Sequence, residues 1–371
     1  MHDSGVTRAI ATGDAAARTG PLERATPLNR RARRYRGGMD HRPGLDPSVA
    51  EVRRAVRAVL DTTDGAVVVA LSGGADSLAL AAATAFEAGR RGIRVEAVVI
   101  DHALQAGSDA VAARAAEVAR GLGIGARVVA VEVATEGEGP EAAARAARYA
   151  ALARAAEQIG ADTVLLGHTL DDQAETVLLG LARGSGSLSL AGMSAERRDS
   201  TGPLWVRPLL GVRRATTVAA CAAEGLEPWA DPHNVDPTYA RVRVRERVLP
   251  VLEAELGPGI AEALARTAEQ LREDAAAFQD MIDETIEDIV EHAEAGISVS
   301  VAALAANPAA LRNRIVRYVV ESEFGVSLSR AQTLEVARLA TDWRGQGPID
   351  LPACLARRVG ARIEIVARAA S

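Results

Sequence analysis

The amino-acid sequence predicts an α/β fold, a doubly wound parallel sheet, joined to a second domain that is mainly helical. Between residues 66 and 208, short apolar runs alternate with longer alanine-rich segments, as strands alternate with helices in such folds. The apolar runs are continuous, which is typical of parallel strands buried on both faces. After Pro250 the strand signal stops and helical periodicity continues. These three observations together predict the architecture.

The predicted strands and helices of the first domain follow one another in a regular order. The strands are predicted at residues 66–71, 95–100, 126–133, 163–167 and 204–208. The helices are predicted at residues 78–89, 110–121, 140–160 and 174–182. A doubly wound sheet binds ligands in the crevice at the carboxyl ends of its strands. The residues directly after each strand are therefore the first candidates for a functional site.

The chain divides into three segments by composition. Residues 1–47 mix Pro, Gly, Thr and Arg without apolar periodicity, so we predict a disordered extension there. Residues 48–250 carry the alternation of strands and helices. Residues 251–371 are predicted to be mainly helical, with helices in 251–294 and 304–340 and a hairpin in 349–366.

The composition excludes several classes of protein. Cys221 and Cys354 are far apart and no C-x-x-C occurs, which argues against a disulfide scaffold, a zinc ribbon and an iron–sulfur cluster. All 43 basic residues are arginine, so a Walker A loop and a lysine Schiff base are excluded. No apolar run approaches the roughly 20 residues that span a bilayer, and the amino terminus lacks the apolar core of a secretion signal. We therefore expect a cytoplasmic protein without a membrane partner.

A double-glycine turn, the glycine loop, follows the first predicted strand and leads into a helix. Its residues are Ser72, Gly73, Gly74, Ala75, Asp76 and Ser77. Adjacent glycines let the backbone approach an anion, the helix amino terminus directs N–H groups at phosphate, and the serine hydroxyls add hydrogen bonds. A carboxylate at Asp76 predicts either Mg²⁺ or a cationic substrate beside the phosphate. The alternative without a ligand is an ordinary helix cap after a glycine turn.

An acidic run follows the fourth predicted strand. Asp171, Asp172 and Glu175 come shortly after His168, so we expect their side chains to project into the ligand crevice. Asp172 and Glu175 are three residues apart and share one helix face. Carboxylates beside a phosphate site require a cation between them, either Mg²⁺ or the ammonium group of an amino-acid substrate. In the alternative, Asp171 caps the helix and Glu175 is solvated.

The glycine loop matches the SGGxDS signature of the PP-loop pyrophosphatases, and further motifs resemble the tRNA(Ile)-lysidine synthetase family. The G-H-x-x-D-D-Q-x-E-T hallmark of that family matches residues 167–176. A segment similar to residues 99–102 ends the second strand in the family. The residues that match its E-x-x-x-R-x-x-R-Y helix are Glu141, Arg145, Arg148 and Tyr149. Thr169 stands where the family often has a second histidine.

This resemblance implies a PP-loop fold, like that of the adenine-nucleotide alpha hydrolases, and a ligase that modifies tRNA(Ile) with a cytosine-first anticodon. The family uses ATP to adenylate the carbonyl oxygen of the wobble cytidine. Free L-lysine then displaces AMP at carbon two to form lysidine. The implied cofactors are ATP and Mg²⁺, and a homodimer is left open. The sequence leaves two alternatives: a PP-loop tRNA thiolase and a non-catalytic ATP-binding module.

The resemblance also implies roles for individual residues. Asp76, Asp172 and Glu175 hold the lysine, Arg148 contacts the α-phosphate or the cytosine, and Asp76 and Asp172 are the predicted Mg²⁺ ligands. The predicted nucleotide-binding residues are Ser72, Gly73, Gly74, Ala75, Asp76, Ser77, Asp101, His102, Gly167 and His168. The predicted tRNA-binding residues are Arg145, Arg241 and Arg245. A solvated linker helix is the alternative for the last two, and the second domain is expected to hold the anticodon stem-loop.

Overall fold

The structure, a computed structural model, describes residues 44–101, 107–131, 140–184, 186–293 and 296–368. Up to residue 43, the predicted disordered extension lies outside the described residues. From Leu45 onward the chain forms one compact unit. The first helix begins at Pro47, and the Asp46 carboxylate caps it by accepting a hydrogen bond from the Ser48 backbone N–H at 2.8 Å.

The α/β region contains the predicted elements and a few that the sequence pattern does not show. Its strands are β1 (Ala66–Ala70), β2 (Val95–Asp101), β3 (Gly125–Ala130), β4 (Ala161–Leu165), β5 (Glu196–Arg198) and β6 (Leu204–Val206). Its helices are α1 (Pro47–Leu60), α2 (Ala75–Gly89), α3 (Ser108–Gly121), α4 (Pro140–Ile159), α5 (Leu170–Ala182), α6 (Ser187–Leu190) and α7 (Arg214–Ala223). The five predicted strands correspond to β1, β2, β3, β4 and β6. The short strand β5 and the helices α6 and α7 were not predicted, whereas α1 contains the helical periodicity that begins at Val49.

The strands form one six-stranded sheet in the order β3-β2-β1-β4-β6-β5. All neighbours in it are parallel except β5, which runs antiparallel to β6 at the edge. The chain winds outward from β1 through β2 to β3 and then returns to the other side of β1 as β4. The order reverses between β1 and β4, which is where open α/β sheets bind ligands.

Alternate residues of β1 face two different hydrophobic layers. Val67 and Val69 pack in a cluster with α1, α2, α3 and α7. Val68 points to the opposite face, where Leu152 of α4 and Trp205 of β6 form a second cluster. All three valines are fully buried, as the continuous apolar run predicts. The prediction of a doubly wound sheet is confirmed.

The remaining helices and a second sheet follow in the carboxyl-terminal part. The helices are α8 (Ala240–Arg243), which continues through a π-helical turn (Val244–Val248) into α9 (Leu249–Leu256), then α10 (Ile260–Ile289), α11 (Val301–Ala306), α12 (Ala309–Phe324) and α13 (Arg330–Thr341). The strands are β7 (Val290–Ala293), β8 (Gly296–Ser300), β9 (Ile349–Asp350), β10 (Cys354–Val359) and β11 (Arg362–Ala367). They form an antiparallel sheet in the order β7-β8-β11-β10-β9.

Helices thus predominate in this part, but the prediction of helix up to residue 294 is wrong at its end. Val290–Ala293 is a strand, and the hairpin β7–β8 precedes the predicted one. Gly296 begins β8 and lies close to β11, because a Cβ there would lie 2.1 Å from the Ile365 carbonyl oxygen. Only glycine permits this close approach of two strands.

Helix α10 packs against α5 and thereby connects the carboxyl-terminal part to the sheet. Leu170 and Ala174 of α5 form a buried cluster with Leu249 and Ala261. The helix that carries the acidic run is therefore covered on its outer side. Within the described residues, none of the helices has the length and apolar character required to span a membrane. The domain boundary at residue 250 stays a prediction.

Candidate active site

The glycine loop connects the end of β1 to the first turn of α2. Gly73 has a φ of +84°, a left-handed conformation that glycine adopts without steric penalty. The Ser77 hydroxyl accepts a hydrogen bond from the Ser72 backbone N–H at 3.1 Å and donates one to the Gly74 carbonyl at 2.9 Å. The Trp229 backbone N–H donates to the Gly73 carbonyl at 2.9 Å. The loop is thus held in one conformation at a helix amino terminus, where an anion is favoured.

The two serines of the loop differ in accessibility. Ser77 is buried, and its hydroxyl proton is directed to the Gly74 carbonyl, so its main contact in this structure lies within the loop. Ser72 is exposed, and its hydroxyl lies 3.1 Å from the Ser77 hydroxyl. Phosphate contacts of both side chains stay predictions, and the exposure of Ser72 favours that residue.

The acidic run lies at the start of α5, which follows β4. Thr169 caps this helix: its hydroxyl accepts a hydrogen bond from the Asp172 backbone N–H at 3.4 Å, and its own N–H donates to the Asp172 carboxylate at 2.8 Å. The carboxylate of Asp171 instead accepts the backbone N–H of Arg214 at 2.7 Å, at the start of α7. Glu175 is fully buried. The alternative in which Asp171 caps α5 and Glu175 is solvated is therefore wrong.

The two loops contact each other at Gly167. A Cβ on this residue would lie 3.1 Å from the Ser77 nitrogen and 3.2 Å from the Asp76 carbonyl carbon. The first turn of α2 therefore lies directly against the segment that follows β4. This contact follows from the parallel pairing of β1 with β4, which brings their carboxyl ends to the same edge.

Three carboxylates at this edge, those of Asp76, Asp172 and Glu175, form an acid cluster around Arg214. The Nε of the arginine lies 3.4 Å from Asp76, its Nη2 lies 2.7 Å from Asp172, and its Nη1 lies 3.1 Å from Glu175. The sequence predicts that these acids require a cation, and the chain itself supplies one. The structure thus brings together the three acids and the glycine loop on one side of the sheet.

The cluster shifts the proton affinity of its members. Burial raises the pKa of Asp76, although a hydrogen bond from Thr217 and the charge of Arg214 act in the opposite direction. Burial also acts to raise the pKa of Asp172, but Arg214 and the Thr169 backbone N–H outweigh it, so the pKa is lowered. The three carboxylates outweigh the burial of Arg214 and raise its pKa above the ordinary value. Asp172 and Arg214 are therefore ionised together.

Two further arginines reach the acid cluster from α8 and from the π-helical turn that follows it. Arg245 makes a bidentate pair with Glu175, at 2.7 Å for Nε and 3.1 Å for Nη2. Arg241 donates to the Thr176 hydroxyl at 3.3 Å, and its Nη1 lies 3.7 Å from Glu175. Both side chains are paired with groups of α5, so the alternative of a solvated linker helix does not apply to them. Their tRNA contacts stay predictions, and for Arg245 such a contact competes with Glu175.

Helix α4 presents the arginines that the family resemblance singles out. Arg145 and Arg148 are exposed. Tyr149 packs against Trp205 with 4.7 Å between ring centroids, and its hydroxyl accepts a hydrogen bond from Arg207 at 3.3 Å. Arg207 is buried and was not predicted as a site residue. It fixes Tyr149, and with it the helix face that carries Arg145 and Arg148.

The second-strand candidates are only partly described. Asp101 is the last residue of β2, at the same sheet edge as the glycine loop, and its carbonyl accepts the Val131 backbone N–H at 2.9 Å. His102 lies outside the described residues. Nucleotide binding by both residues stays a prediction.

The predicted Mg²⁺ ligands, Asp76 and Asp172, both contact Arg214. Among the described residues, His, Cys, Asp and Glu side chains do not form any group of three or more that could hold a metal ion. The donor set therefore does not fit a metal site built by the protein alone. Mg²⁺ commonly binds through one or two carboxylates together with substrate phosphates.

Helix α7 supplies two site residues that the sequence analysis missed, Arg214 and Thr217, and Arg213 directly precedes the helix. The Arg213 guanidinium contacts Glu262 at 2.6 Å and Asp171 at 3.4 Å, and the Thr217 hydroxyl donates to Asp76. The available signal was two adjacent arginines before a stretch rich in alanine and threonine at residues 215–223. That stretch has helix propensity but no clear apolar stripe, so the sequence pattern did not predict a helix there.

His168 is close enough to Asp172 to interact with its charge, and its Nδ1 is buried without a hydrogen-bond partner in the described part of the chain. Burial lowers the pKa of His168 to about 4, the charge of Asp172 opposes this shift, and Arg207 adds to it. The unfolded chain binds a proton at this histidine near pH 6.5, whereas the folded chain does so only near pH 4. Folding stability is therefore lost as the pH falls through this window.

We expect the His168→Gln variant to lose this part of the pH dependence. Denaturant unfolding measures the free energy of unfolding at each pH. Between pH 7 and pH 4, this free energy should fall more for the parent protein than for the variant, by about 3 kcal/mol at most. Groups other than His168 titrate in both proteins, so the difference between the two curves isolates the histidine. Parallel curves would show that His168 is protonated normally in the folded state.

Family models match both parts of the chain. A PP-loop domain matches residues 48–252, and a TilS substrate binding domain matches residues 300–363. Among solved structures, the fold is similar to that of the U34-tRNA thiolase NcsA from Methanococcus maripaludis, with a TM-score of 0.52. The match covers 61% of this chain and 80% of that chain at 20% identity, so the likeness concerns the fold alone.

Curated relatives are similar over most of their length. The tRNA(Ile)-lysidine synthase of Leifsonia xyli subsp. xyli is 62% identical over 287 residues, which are 77% of this chain and 85% of the relative. The tRNA(Ile)-lysidine synthase of Thermobifida fusca is 49% identical over 313 residues, 83% of this chain and 94% of the relative. With the glycine loop and the acid cluster at one sheet edge and this level of identity, the chain belongs to the tRNA(Ile)-lysidine synthase family.

Proposed function

We propose that the chain forms lysidine on tRNA(Ile) in an ATP-dependent reaction, as the names of its relatives state, with free L-lysine as the amine donor. The observation that carries the proposal is the acid cluster of Asp76, Asp172 and Glu175 beside the glycine loop. A phosphate-binding loop and a group of carboxylates suit one anionic and one cationic substrate. The reaction of ATP with lysine at a tRNA base needs both.

In the first step, the carbonyl oxygen of the wobble cytosine attacks the α-phosphorus of ATP, and pyrophosphate leaves. The backbone N–H groups at the start of α2 are arranged to receive the pyrophosphate, because Gly73 and Gly74 carry no side chains that would block it. We assign Arg148 to the α-phosphate or the cytosine, since this residue is exposed on α4 and a guanidinium can make two parallel hydrogen bonds. The nucleotide contacts of Asp101, His102, Gly167 and His168 belong to the same proposal.

In the second step, the lysine amine attacks carbon two of the adenylated cytosine, a C–N bond forms, and AMP leaves. The acid cluster binds the amine as the ammonium ion and orients it. The amine must lose a proton before it attacks, and a carboxylate of the cluster is positioned to accept this proton. Burial raises the pKa of Asp76, whereas the pKa of Asp172 is lowered. Of these two acids, Asp76 is therefore the better proton acceptor.

Magnesium enters the proposal only with the nucleotide. We propose that Mg²⁺ is bound mainly by the phosphates of ATP and by water, because Arg214 already contacts Asp76 and Asp172. When bound, it would neutralise charge on the leaving pyrophosphate.

We propose that tRNA binds across both parts of the chain, with Arg145 and Arg241 on phosphates and the region of residues 300–363 on the anticodon stem-loop. Arg145 is exposed and Arg241 is partly exposed. The acids and the glycine loop all come from one chain.

Mass spectrometry of the tRNA after incubation with protein, ATP and lysine tests this function. We expect the tRNA with a cytosine-first anticodon to gain the mass of one lysine residue, with release of AMP and pyrophosphate. Omission of lysine should stop the mass gain. A tRNA thiolase would give a sulfur-dependent mass change, and a binding module would retain ATP without AMP release, and either result would contradict the proposal.

A further inference from the structure

Arg214 links the three carboxylates of the acid cluster to one another. Its side chain contacts Asp76 on α2 and both Asp172 and Glu175 on α5, so one guanidinium links two helices that are far apart in the sequence. The planar fork of an arginine has donors in several directions, and here Nε, Nη1 and Nη2 each meet a different carboxylate. An ammonium group could not span the three positions.

The other partners of the three acids do not provide such a link. Asp76 accepts a hydrogen bond from Thr217, and Asp172 accepts hydrogen bonds from Thr169 within its own capping box. Arg245 contacts Glu175 and approaches Asp172 to 3.6 Å, both on α5. Among the contacts of the described residues, Arg214 therefore connects the acid of the glycine loop with those of the acidic run. Without this connection, like charges on Asp76 and Asp172 would repel each other.

The backbone and the neighbour of Arg214 are fixed as well. The Asp171 carboxylate accepts the Arg214 backbone N–H at 2.7 Å. Arg213 holds the start of α7 from the other side through Glu262 at 2.6 Å and Glu253 at 3.4 Å. The Arg214 side chain is 22% exposed, so a substrate can approach the cluster beside it. Its position is thus set before any ligand arrives, which is the requirement for preorganisation.

We propose that Arg214 is a positioning residue for lysine transfer, which holds Asp76, Asp172 and Glu175 in the one arrangement that receives the substrate amine. This inference rests on the proposed function. Arg214 acts through the acids and need not touch the lysine itself. Arg53 of α1 pairs with Glu224, directly after the far end of α7, at 2.5 Å and is not part of the acid cluster, so it provides a matched control.

Steady-state kinetics of the variants Arg214→Ala, Arg214→Lys and Arg53→Ala in the full chain test the proposal. For both Arg214 variants we expect the KM for lysine to rise about tenfold or more, while the KM for ATP changes less than about threefold. The Arg214→Lys substitution keeps the positive charge but not the planar fork, so it should not restore binding of the substrate lysine. Arg53→Ala removes a partly buried ion pair with Glu224, so it should lower the melting temperature and leave the KM for lysine within about twofold of the parent value.

Several results would overturn the inference. One is an unchanged KM for lysine in Arg214→Ala, and another is a parallel rise of the KM values for lysine and ATP. Full restoration of lysine binding by Arg214→Lys would also overturn it. Loss of folding in both Arg214 variants would show that the role of Arg214 is purely structural. The proposed function fails separately, because in that case the parent protein itself transfers no lysine to the tRNA.

Discussion

Replacing Glu175 by glutamine is expected to abolish lysidine formation and to reduce the free energy of unfolding by about 3 kcal/mol. Glu175 is fully buried, and its two nearest arginine partners are Arg214 at 3.1 Å and Arg245 at 2.7 Å. A neutral amide leaves both guanidinium groups short of one negative charge at a position where the acid itself is fully buried. Activity should fall at least about 100-fold, because the amine site loses both a charge and its geometry.

Denaturant unfolding and a single-turnover assay with excess enzyme separate the two effects of this substitution. Glu117→Gln is the matched control, since Glu117 is an exposed residue on α3 and its replacement should change neither quantity. If Glu175→Gln were less stable but transferred lysine at the parental rate, Glu175 would be a structural residue only, and its assignment to the amine site would be wrong.

Replacing Gly167 by alanine is expected to lower kcat/KM for ATP by about 10- to 100-fold with little loss of overall stability. The added methyl would meet backbone atoms of Asp76 and Ser77 at 3.1–3.2 Å, closer than ordinary contact. These atoms belong to the first turn of α2 and cannot rotate away as a side chain would. The glycine loop must therefore shift by a few tenths of an ångström, and Asp76 shifts with it.

Gly89→Ala provides the comparison for this second substitution. Gly89 lies at the end of the same helix, and a Cβ there would have open space around it. This variant should keep the parental kcat/KM for ATP and the parental melting temperature. If Gly167→Ala bound and consumed ATP normally, the contact between the two loops would not matter for the nucleotide.

The sheet could be predicted from the sequence because its strands carry their own signal. The valines of β1 are apolar on both faces and end at a double glycine, so the pattern identifies a buried parallel strand and the loop that follows it. Strand β5 has no such signal, since Glu196–Arg198 is wholly exposed and pairs only through its backbone with β6. Strands β7 and β8 were missed because they interrupt a long helical pattern only briefly.

The acids of the site were predictable, but their counter-ion was not. Parallel strands end at the same edge, so residues after β1 and β4 were expected to meet there, and Asp76 and Asp172 do meet. The sequence offers 43 arginines and no indication of which one reaches them. Arg214 lies 138 positions from Asp76, and only the packing of α7 against α2 brings the two together. An ion pair over such a distance leaves no local pattern.

A crystal structure of the protein with lysine and a non-hydrolysable ATP analogue tests the central claim most directly. We expect the lysine ε-nitrogen within about 3 Å of at least one carboxylate of the acid cluster, and the β- and γ-phosphates against the backbone of residues 73–77. Lysine bound away from Asp76, Asp172 and Glu175, or phosphates bound elsewhere than at the glycine loop, would contradict the assignment of this sheet edge as the active site.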